Sequence, residues 1–377
     1  MKVLFAINSL VIGGAERVFV NQVNELAKDP NYDVWVLTTV SEKGKKTFRG
    51  ELTIPQEKTA QFNFKNVLDL RAMPKVKKFL DKEKFDVVIS YLFLTNFALR
   101  ILAKLSQVPV ICSYEQNVYV NRTGLQILAD KILSYFTDVI FPVSREVLDF
   151  TSKQERIPKS KFKLNYNAVP LETQELSEPE KQEFKKELGI PEKALVVANA
   201  GSLVEQKGQT YLIQAARQII EKNNDIYFLI GGEGKLRENL ESQARELGIS
   251  DRIKLPGILP INKLLSITDV FVLPSVWEGL SLVMLEAIAY GKPVVVSDVS
   301  GVREVFTDGV NGLIIPVKDV VILAKKISLL LNDQKLRQQL GRGARARVKD
   351  FCIQKNVKIL KETLEEVYKK KSSRSLK

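Results

Sequence analysis

The 377-residue sequence contains no histidine and only two cysteines, Cys112 and Cys352. The lack of histidine excludes Ser-His-Asp hydrolases, Cys-His proteases, HExxH metalloproteases and most zinc chemistry. The two cysteines belong to no CxxC pattern and are too few for a disulfide-stabilised fold, so they favour a reducing compartment. We therefore expect a cytoplasmic protein whose chemistry uses other side chains.

Long apolar runs are missing as well. The longest, such as Val87–Leu94, fall far short of the ~20 residues that span a bilayer. The apolar stretch Val3–Ile12 lacks a small-residue cleavage site and continues into a Gly-Gly pair. It therefore predicts a buried strand followed by a loop rather than a signal peptide.

The charge that is present is mostly basic. Lysine and arginine (57) exceed aspartate and glutamate (44), which gives a net charge of +13. A basic surface can meet nucleic acid, anionic lipid or phosphorylated ligands, and it can also serve solubility alone. Hydrophobic residues make up 45% of the chain, which indicates a folded globular protein.

Short β-rich apolar runs alternate with amphipathic stretches along most of the chain. Such runs, each followed by a helix, indicate a parallel sheet that is covered on both faces. We predict an α/β fold with two doubly wound Rossmann-like domains that face a central cleft. The predicted strands are Val3–Ile7, Val34–Val40, Val87–Leu92, Val108–Ser113, Val139–Val143, Ala194–Ala200, Ile226–Ile230, Val270–Leu273, Val294–Ser297 and Leu313–Ile315.

The alternation breaks at residues 171–193, which are polar, contain two prolines and have no strand signal. We predict an N-terminal domain over 1–170, a linker and the start of the second domain over 171–193, and a second domain over 194–350. Residues 351–377 predict a C-terminal helix with a basic tail.

Ligands of doubly wound folds bind beyond the carboxyl ends of the strands. Gly13-Gly14 follows the first strand and opens a helix, where backbone amides and the helix dipole can face a phosphate, although a plain tight turn is the alternative. Gly201–Gly208 follows the first strand of the second domain and contains Lys207, a mobile cation suited to phosphate. Its spacing is not that of a P-loop. Gly231-Gly232-Glu233-Gly234 forms a further glycine-rich turn.

The stretch Pro274–Ala287 carries the strongest signal. Glu286 lies in a helical pattern that is otherwise almost wholly apolar, where a carboxylate without a partner is costly. Glu278 lies just before that helix, and eight residues of helical rise would separate the two carboxylates by ~12 Å. They could hold the two ends of a nucleotide-diphosphate sugar, whereas a helix cap plus an internal salt bridge is the alternative.

Glu278-x7-Glu286, with its flanking Pro274-Ser275, resembles the signature of the family-4 glycosyltransferases, retaining enzymes of GT-B fold, here of the bacterial cell-surface polysaccharide type. The resemblance covers essentially the whole chain and is strongest over 195–315. Further landmarks in the family's order are Gly13-Gly14-Ala15-Glu16-Arg17, Asn167-Ala168-Val169-Pro170, Gly301-x-x-Glu304 and Asp308-Gly309-x-Asn311-Gly312.

The resemblance implies that the first domain binds an acceptor and the second a nucleotide-sugar donor, with the C-terminal helix crossing back onto the first domain. Lys207 would neutralise the donor diphosphate, Glu278 would hold hydroxyls of the transferred sugar, and Glu286 would hold the ribose. The backbone of Gly14 and the amides of Ser281 and Leu282 would contact the phosphates. The implied donor-binding residues are Gly13, Gly14, Gly201, Ser202, Lys207, Glu233, Glu278, Gly279, Leu280, Ser281, Leu282 and Glu286.

Two positions depart from the family pattern. Ser202 stands where the family often has an arginine, so one cationic partner of the diphosphate is missing or comes from elsewhere. Gln116 stands in the region where many members carry a histidine, and it can hydrogen-bond a sugar hydroxyl but cannot relay protons. The implied catalytic residues are Glu278, Lys207 and Gln116.

The sequence contains no Asp-x-Asp pair to hold a metal, so we expect no metal site and no cofactor other than the co-substrate. The expected reaction moves a hexose or N-acetylhexosamine, from a UDP-sugar by family tendency, to a saccharide or polyprenyl-diphosphate-linked acceptor in cell-envelope polysaccharide or glycolipid synthesis. Retention would follow from front-face attack, in which the departing phosphate oxygen accepts the acceptor's proton.

The basic stretch Asp69–Phe85 suggests peripheral contact with an anionic membrane at its inner face, and an ordinary amphipathic helix interrupted by Pro74 is the alternative. A nucleotide-sugar 2-epimerase of the same architecture is a second interpretation of the fold. A basic nucleic-acid-binding protein is a remote one, because no RRM or KH module is present and acidic residues occupy the phosphate region. We therefore expect no nucleic-acid partner.

Overall fold

The computed structural model describes residues 1–119, 122–223 and 225–375. The chain divides into two compact units. Unit 1 comprises residues 1–168 together with the C-terminal segment from Ile353, and unit 2 comprises Val169–Cys352. Each unit is organised around a parallel sheet, so each is described by itself.

Unit 1 contains, within the described residues, a six-stranded sheet in the order β3-β2-β1-β4-β5-β6. The central strand β1 pairs in parallel with β2 and β4. The strands are β1 (Lys2–Ile7), β2 (Asp33–Thr38), β3 (Thr59–Gln61), β4 (Val87–Tyr91), β5 (Val110–Glu115) and β6 (Val139–Pro142), and the helices between them are α1 (Gly14–Leu26), α2 (Met73–Glu83), α3 (Phe93–Leu105), α4 (Gly124–Ser134) and, after β6, α5 (Arg145–Glu155).

Unit 2 repeats this organisation with a six-stranded sheet, again within the described ranges, in the order β12-β11-β10-β7-β8-β9. Its strands are β7 (Leu195–Ala200), β8 (Ile226–Gly231), β9 (Ile253–Gly257), β10 (Val270–Leu273), β11 (Val294–Ser297) and β12 (Leu313–Ile315). Its helices are α6 (Glu178–Glu187), α7 (Gln209–Ile220), α8 (Arg237–Glu246), α9 (Ile261–Ser266), α10 (Leu282–Ala289), α11 (Val302–Val305), α12 (Val320–Asn332) and α13 (Gln334–Arg347). The last helix of the chain, α14 (Ile353–Ser375), belongs to unit 1.

Both sheets have the doubly wound strand order that the alternating pattern predicted, so the fold class is confirmed. The central strands are continuous apolar runs because helices cover them on both faces. In unit 2, for example, Phe228 and Val272 of the sheet are buried in one apolar cluster with Leu212 of α7 and Ile327 of α12.

Aromatic packing and a buried polar network attach α14 to the core of unit 1. The rings of Tyr91 and Tyr114 stack with centroids 4.5 Å apart. The side-chain amide of Gln22 on α1 donates to the Tyr114 hydroxyl at 3.0 Å and to Asn356 Oδ1 on α14 at 2.7 Å. Because these polar atoms satisfy one another, α14 can cover the sheet without leaving buried donors orphaned.

The C-terminal helix extends further than the sequence indicated. The sequence predicted a helical, basic segment over Lys355–Lys371 that ends in a tail from Lys369 to Arg374, and α14 continues to Ser375. Leu376 and Lys377, the last residues of the predicted C-terminal segment, lie outside the described residues. No helix of the described ranges is both long enough and apolar enough to cross a bilayer.

The stretch Asp69–Phe85 contains an ordinary amphipathic helix, the alternative that the sequence left open. Helix α2 begins at Met73, so Pro74 lies in its first turn, where a missing N–H costs nothing, and does not interrupt it. The apolar residues Val76 and Leu80 are buried, and Phe79 packs with its ring 5.6 Å from that of Phe85. The apolar face of α2 is therefore occupied by the core of unit 1.

The region predicted as a linker, 171–193, contains helix α6. Ser177 and Glu180 form a capping box in which the Glu180 carboxylate accepts from the Ser177 backbone amide at 2.8 Å. Pro179 occupies the first turn, a position that favours helix initiation. The Ser-x-x-Glu spacing was a readable helix signal that the polar composition of this region concealed.

Two short strands, β3 and β9, were absent from the predicted set. Both lie at sheet edges, and β9 contains Pro256 and is only partly buried. An edge strand needs neither a continuous apolar run nor every backbone N–H, so its sequence carries a weak strand signal.

Candidate functional site

The candidate site of unit 2 lies where the strand order reverses. Strands β7 and β10 are neighbours in the sheet, while β7 continues to β8 on one side and β10 to β11 on the other. The loop Gly201–Gly208 follows β7, and the loop Pro274–Ser281 follows β10. Such a switch point at the carboxyl ends of parallel strands is the usual ligand position in this class of fold.

Glycines let these loops approach one another through their backbones. Gly208 has φ +66°, and a Cβ there would lie 2.0 Å from the carbonyl oxygen of Pro274. Gly232, which follows β8, has φ +158°, and a Cβ there would lie 2.0 Å from the carbonyl oxygen of Gly201. Since no other residue fits these contacts, the glycines fix the shape of this edge.

Lys207 and Glu278 form an ion pair at this edge. Lys207 Nζ lies 2.6 Å from Glu278 Oε1, and the exposed fractions of their side chains are 18% and 6%. The buried hydroxyl of Ser275 donates to the same carboxylate oxygen at 2.8 Å. Glu278 is therefore oriented from two sides, and Lys207 is held ready to exchange one anionic partner for another.

The backbone between these residues is also held in place. The side-chain amide of Gln206 donates to the carbonyl oxygen of Trp277 at 3.0 Å, and the Val276 N–H donates to the Gln206 carbonyl at 2.8 Å. The neighbouring Gln209 donates to the carbonyl oxygen of Ser202 at 3.1 Å. Sequence reasoning missed Ser275, Gln206 and Gln209 in these supporting roles. The Gln206 contact joins segments 71 positions apart, whereas Ser275 and Gln209 bond to partners 3 and 7 positions away.

Helix α10 begins directly after this loop. Ser281 is its N-cap, and its side chain makes no capping hydrogen bond in the described structure. The first amides of a helix without a side-chain cap remain available to an anion, and the helix dipole favours negative charge there. Gly279, Leu280, Ser281 and Leu282, all predicted donor-binding residues, are buried in this segment.

Glu286 lies within α10, as predicted, but it is half-buried. The predicted ~12 Å spacing of the two carboxylates assumed helical rise throughout. Because α10 begins at Leu282, Glu278 lies in a loop, and that part of the estimate is wrong.

The other predicted residues of unit 2 lie along the same edge. Ser202 is exposed directly after β7 and Gly201. Glu233 is exposed and accepts from Arg237 Nη2 at 2.7 Å, which lowers the pKa of its carboxyl. Its backbone carbonyl accepts from the Leu203 N–H at 2.9 Å, which joins the turn after β8 to the loop after β7.

Unit 1 carries the remaining predicted residues at its own switch point. Gly13 is the extended N-cap of α1, and Gly14 is exposed with open space where a Cβ would lie. Burial raises the pKa of Glu16, in the first turn of this helix, to about 7. Sequence reasoning did not single out Glu16 as a titrating group.

Gln116 follows β5 directly and is half-buried. Its side-chain nitrogen has no hydrogen-bond partner among the described residues. A buried amide donor without a partner is costly, which is the usual sign of a group kept for a ligand. The structure thus leaves Gln116 with an unused donor at the carboxyl end of the sheet.

No group of three or more acidic or cysteine side chains in the described parts of the chain is arranged to hold a metal ion. The switch point of unit 2 offers a ligand backbone amides, the Lys207–Glu278 ion pair and amide or hydroxyl side chains. These groups suit an anionic ligand with several hydroxyls.

Two family models match the chain. The model described as glycosyltransferase family 4 matches residues 12–173, and the model described as glycosyl transferases group 1 matches residues 180–347. Together they span both units.

Characterised and uncharacterised relatives agree with these matches. An uncharacterized glycosyltransferase of Methanocaldococcus jannaschii is 31% identical over 309 residues, which cover 79% of this chain and 78% of the relative. An alpha-1,4-N-acetyl-D-galactosaminyltransferase of Campylobacter jejuni, named as acting on an undecaprenol-diphosphate-linked saccharide, is 28% identical over 94% of this chain and 95% of its own. A UDP-Gal:alpha-D-GlcNAc-diphosphoundecaprenol alpha-1,3-galactosyltransferase of Escherichia coli is 28% identical over 80% of each chain.

Solved structures show the same fold. The Anabaena protein HepE, crystallised with UDP-glucose, superposes with a TM-score of 0.85 at 20% identity, covering 97% of this chain and all of its own. A glycosyltransferase from Rickettsia africae superposes with a TM-score of 0.82 at 16% identity, covering 97% of this chain and 98% of its own. The chain therefore belongs to family 4 of the glycosyltransferases and has the GT-B fold, as its sequence signature indicated.

Proposed function

We propose that this enzyme is a retaining hexosyltransferase that uses a nucleotide-diphosphate sugar, with uridine as the base, as its donor. The observation that carries the proposal is the Lys207–Glu278–Ser275 cluster beside the N-terminus of α10. It combines one cation, free helix amides and one oriented carboxylate, which are the groups that a diphosphate and a sugar hydroxyl require. The names of the relatives, which include a UDP-galactose-dependent enzyme, support the same donor class.

The donor is assigned to this edge residue by residue. Lys207 and the amides of Ser281 and Leu282 bind the diphosphate, with Gly201, Ser202, Gly279 and Leu280 shaping the approach. Glu278 accepts hydrogen bonds from the transferred sugar, and Glu286 accepts from the ribose. Glu233, which is exposed beside the same turn, completes the proposed donor set of unit 2. In unit 1, Gly13 and Gly14 are proposed to contact a donor phosphate through their backbone.

The proposed reaction is a front-face substitution at the anomeric carbon. The bond from this carbon to the diphosphate oxygen breaks, while the acceptor oxygen forms its bond on the same face. The acceptor's proton moves to the departing phosphate oxygen, so no protein base is needed. Lys207 and the α10 dipole stabilise the charge that develops on the diphosphate, a preorganised electrostatic role that requires no metal.

Gln116 is proposed to hold an acceptor or sugar hydroxyl with its unused amide donor. A Gln116→Ala variant should retain partial turnover, because the residue orients a hydroxyl and does not transfer its proton. Steady-state assays beside donor-binding measurements test this role. Complete loss of turnover with unchanged donor binding would exclude the front-face mechanism.

The first experiment is thermal stabilisation of the metal-free protein by UDP, GDP, ADP and their sugar conjugates. We expect UDP and one of its sugars to raise Tm. The Lys207→Ala and Glu286→Ala variants should lose this shift, whereas Lys325→Ala, an exposed lysine of α12, should keep it. If another nucleotide raised Tm instead, the base of the donor would have to be reassigned. If the nucleotide raised the Tm of every variant equally, the assigned site would be refuted.

The proposed acceptor is a saccharide or a polyprenyl-diphosphate-linked saccharide in cell-envelope polysaccharide or glycolipid synthesis. Two of the matched relatives are named for undecaprenol-diphosphate-linked acceptors. Such an acceptor lies at a membrane surface, so we also propose a cytoplasmic enzyme that associates peripherally with the inner membrane face. Turnover of a synthetic polyprenyl-diphosphate sugar, compared with the free saccharide, tests this assignment.

A further inference from the structure

Helix α4 buries Asp130 and Ser134 beside Leu133 and turns its other large apolar side chains outward. Asp130 is 2% exposed and Ser134 is buried, whereas Leu125 is 78% exposed and Leu128 is 52% exposed. A helix on the surface of a globular protein normally turns its apolar face to the core and its charges to water. Exposing leucine while burying aspartate forgoes hydrophobic stabilisation and requires a special partner for the charge.

Two buried arginines provide that partner. Arg100 of α3 pairs with Asp130, and Arg122, just before α4, lies 2.9 Å from the other Asp130 oxygen. Arg122 also pairs with Glu115 at 3.1 Å and with Glu155 at the end of α5. Helix α4 is therefore anchored through charge, and its apolar side is left free to face outward.

The exposed apolar side chains form one continuous stripe. Their spacing of three or four positions places them on one face of a helix. Thr123 and Gln126 form a capping box at its start, and the residue after its end keeps helical dihedrals. The members of this stripe, called the α4 stripe below, are Leu125, Leu128, Ile132, Tyr135 and Phe136.

Basic residues border the C-terminal end of the α4 stripe. Lys371 of α14 lies 2.6 Å from the carboxylate of Asp138, two positions after Phe136, and it donates to the carbonyl oxygen of Pro109 at 2.6 Å. This contact brings the exposed Lys369 and Lys370 of α14 to the same end of unit 1.

We propose that the α4 stripe, together with Lys369 and Lys370, is the surface by which the enzyme docks on an anionic lipid bilayer. An apolar stripe beside ammonium groups matches the acyl region and the anionic headgroups of such a surface. The inference deepens the membrane association in the proposed function and rests on it. An anionic bilayer is preferred to a second copy of the chain because the exposed residues at the end of the stripe, Lys369 and Lys370, are basic.

Co-sedimentation with vesicles tests the proposal. The full-length protein should bind vesicles that contain phosphatidylglycerol and bind pure phosphatidylcholine weakly. Leu128→Glu with Ile132→Glu should reduce the partition coefficient at least ~10-fold, because two charges must enter the interface. The matched control is Val321→Glu with Leu329→Glu, two exposed apolar residues of α12, which should bind as the wild type does.

A second variant tests the contribution of the two lysines to membrane docking. Lys369→Gln with Lys370→Gln should lower binding to phosphatidylglycerol vesicles and leave binding to phosphatidylcholine unchanged. Nucleotide-induced stabilisation is measured on every variant, so that a failed docking surface is distinguished from a failed donor site. Unchanged vesicle binding by the double glutamate variant would overturn the inference. A wild-type dimer that the same variant converts to a monomer without loss of lipid binding would also overturn it.

Discussion

The carboxyl ends of the two sheets are built by different means. In unit 2 the loops after β7, β8 and β10 meet through backbone contacts that glycines permit, and the ion pairs Lys207–Glu278 and Arg237–Glu233 lie among them. In unit 1 the segment after β5 is held by a buried group of five charged side chains. This group, called the Arg122 cluster below, consists of Arg100, Glu115, Arg122, Asp130 and Glu155.

The difference shows which half of a two-unit enzyme is readable from its sequence. A backbone contact that excludes every side chain leaves a glycine at a fixed place, so the donor edge has a recognisable signature. The members of a buried charge group can be distributed over a strand, a loop and three helices with no fixed spacing. Such a group therefore leaves no recognisable signature in the sequence. The sequence accordingly offered many candidate residues for the proposed donor site in unit 2 and only one catalytic candidate, Gln116, in unit 1.

The largest expected effect comes from breaking the Arg122 cluster. Arg122→Met should lower the free energy of unfolding by about 3–5 kcal/mol, because it leaves buried carboxylates without their counter-ion. Chemical denaturation at neutral pH measures the change. The matched control is Arg303→Met in unit 2, which removes an arginine paired with Asp298 at the surface.

Exposed ion pairs contribute at most about 1 kcal/mol, so the control variant should unfold close to the wild type. If the two variants lost the same free energy of unfolding, burial would not make the Arg122 cluster more important to stability than the exposed Arg303–Asp298 pair. No loss in Arg122→Met would mean that the carboxylates of the cluster are already neutral in the folded protein.

The second effect concerns the carboxyl edge of the sheet in unit 2, where glycines allow the loops to approach one another. Gly208→Ala should lower the free energy of unfolding by about 2–4 kcal/mol, since the new Cβ both meets the Pro274 carbonyl at 2.0 Å and adopts a left-handed backbone. Denaturation of Gly309→Ala is the comparison, because Gly309 has φ +74° and nothing within 4 Å of a Cβ.

The comparison variant isolates backbone strain, which we expect to cost about 1–2 kcal/mol. The excess loss in Gly208→Ala then measures the close approach of the loops after β7 and β10. If the two variants lost the same stability, the contact with Pro274 would be irrelevant to this edge. We also expect Gly208→Ala to weaken the nucleotide-induced Tm shift, because Lys207 precedes it directly.

Sequence reasoning predicted the architecture well and the contacts poorly, for physical reasons. Central strands such as β10 were placed to the residue because burial on both faces demands a continuous apolar run. Lys207 and Glu278 were identified as two separate binding groups, but their pairing across 71 positions was not, because spacing in sequence says nothing of spacing across a sheet. Ser275 was quoted only as part of a signature, since a serine in a loop has many ordinary uses.

The last expected effect is a pH dependence within the Arg122 cluster. Burial, followed by the nearby Glu115 and Asp130 carboxylates, raises the pKa of Glu155 from 4.5 to about 8, and burial also raises that of Glu115. With Glu155 protonated, the two arginines balance the two remaining carboxylates. The folded protein keeps this proton between pH 4.5 and about 8 while the unfolded chain releases it, so stability falls as pH rises through that window.

Glu155→Gln should therefore lie within about 1 kcal/mol of the wild type near pH 5, and its advantage should grow by up to about 4 kcal/mol between pH 5 and pH 9, because glutamine imitates the protonated acid. Glu16, whose pKa burial raises to about 7, contributes a slope of the same sign to both proteins, and the difference between their pH profiles removes it. Unfolding curves from pH 5 to pH 9 provide the measurement. Parallel profiles would show that Glu155 is ionised in the folded state, so that Arg100 and Arg122 hold Asp130 and α4 in place without a proton on Glu155.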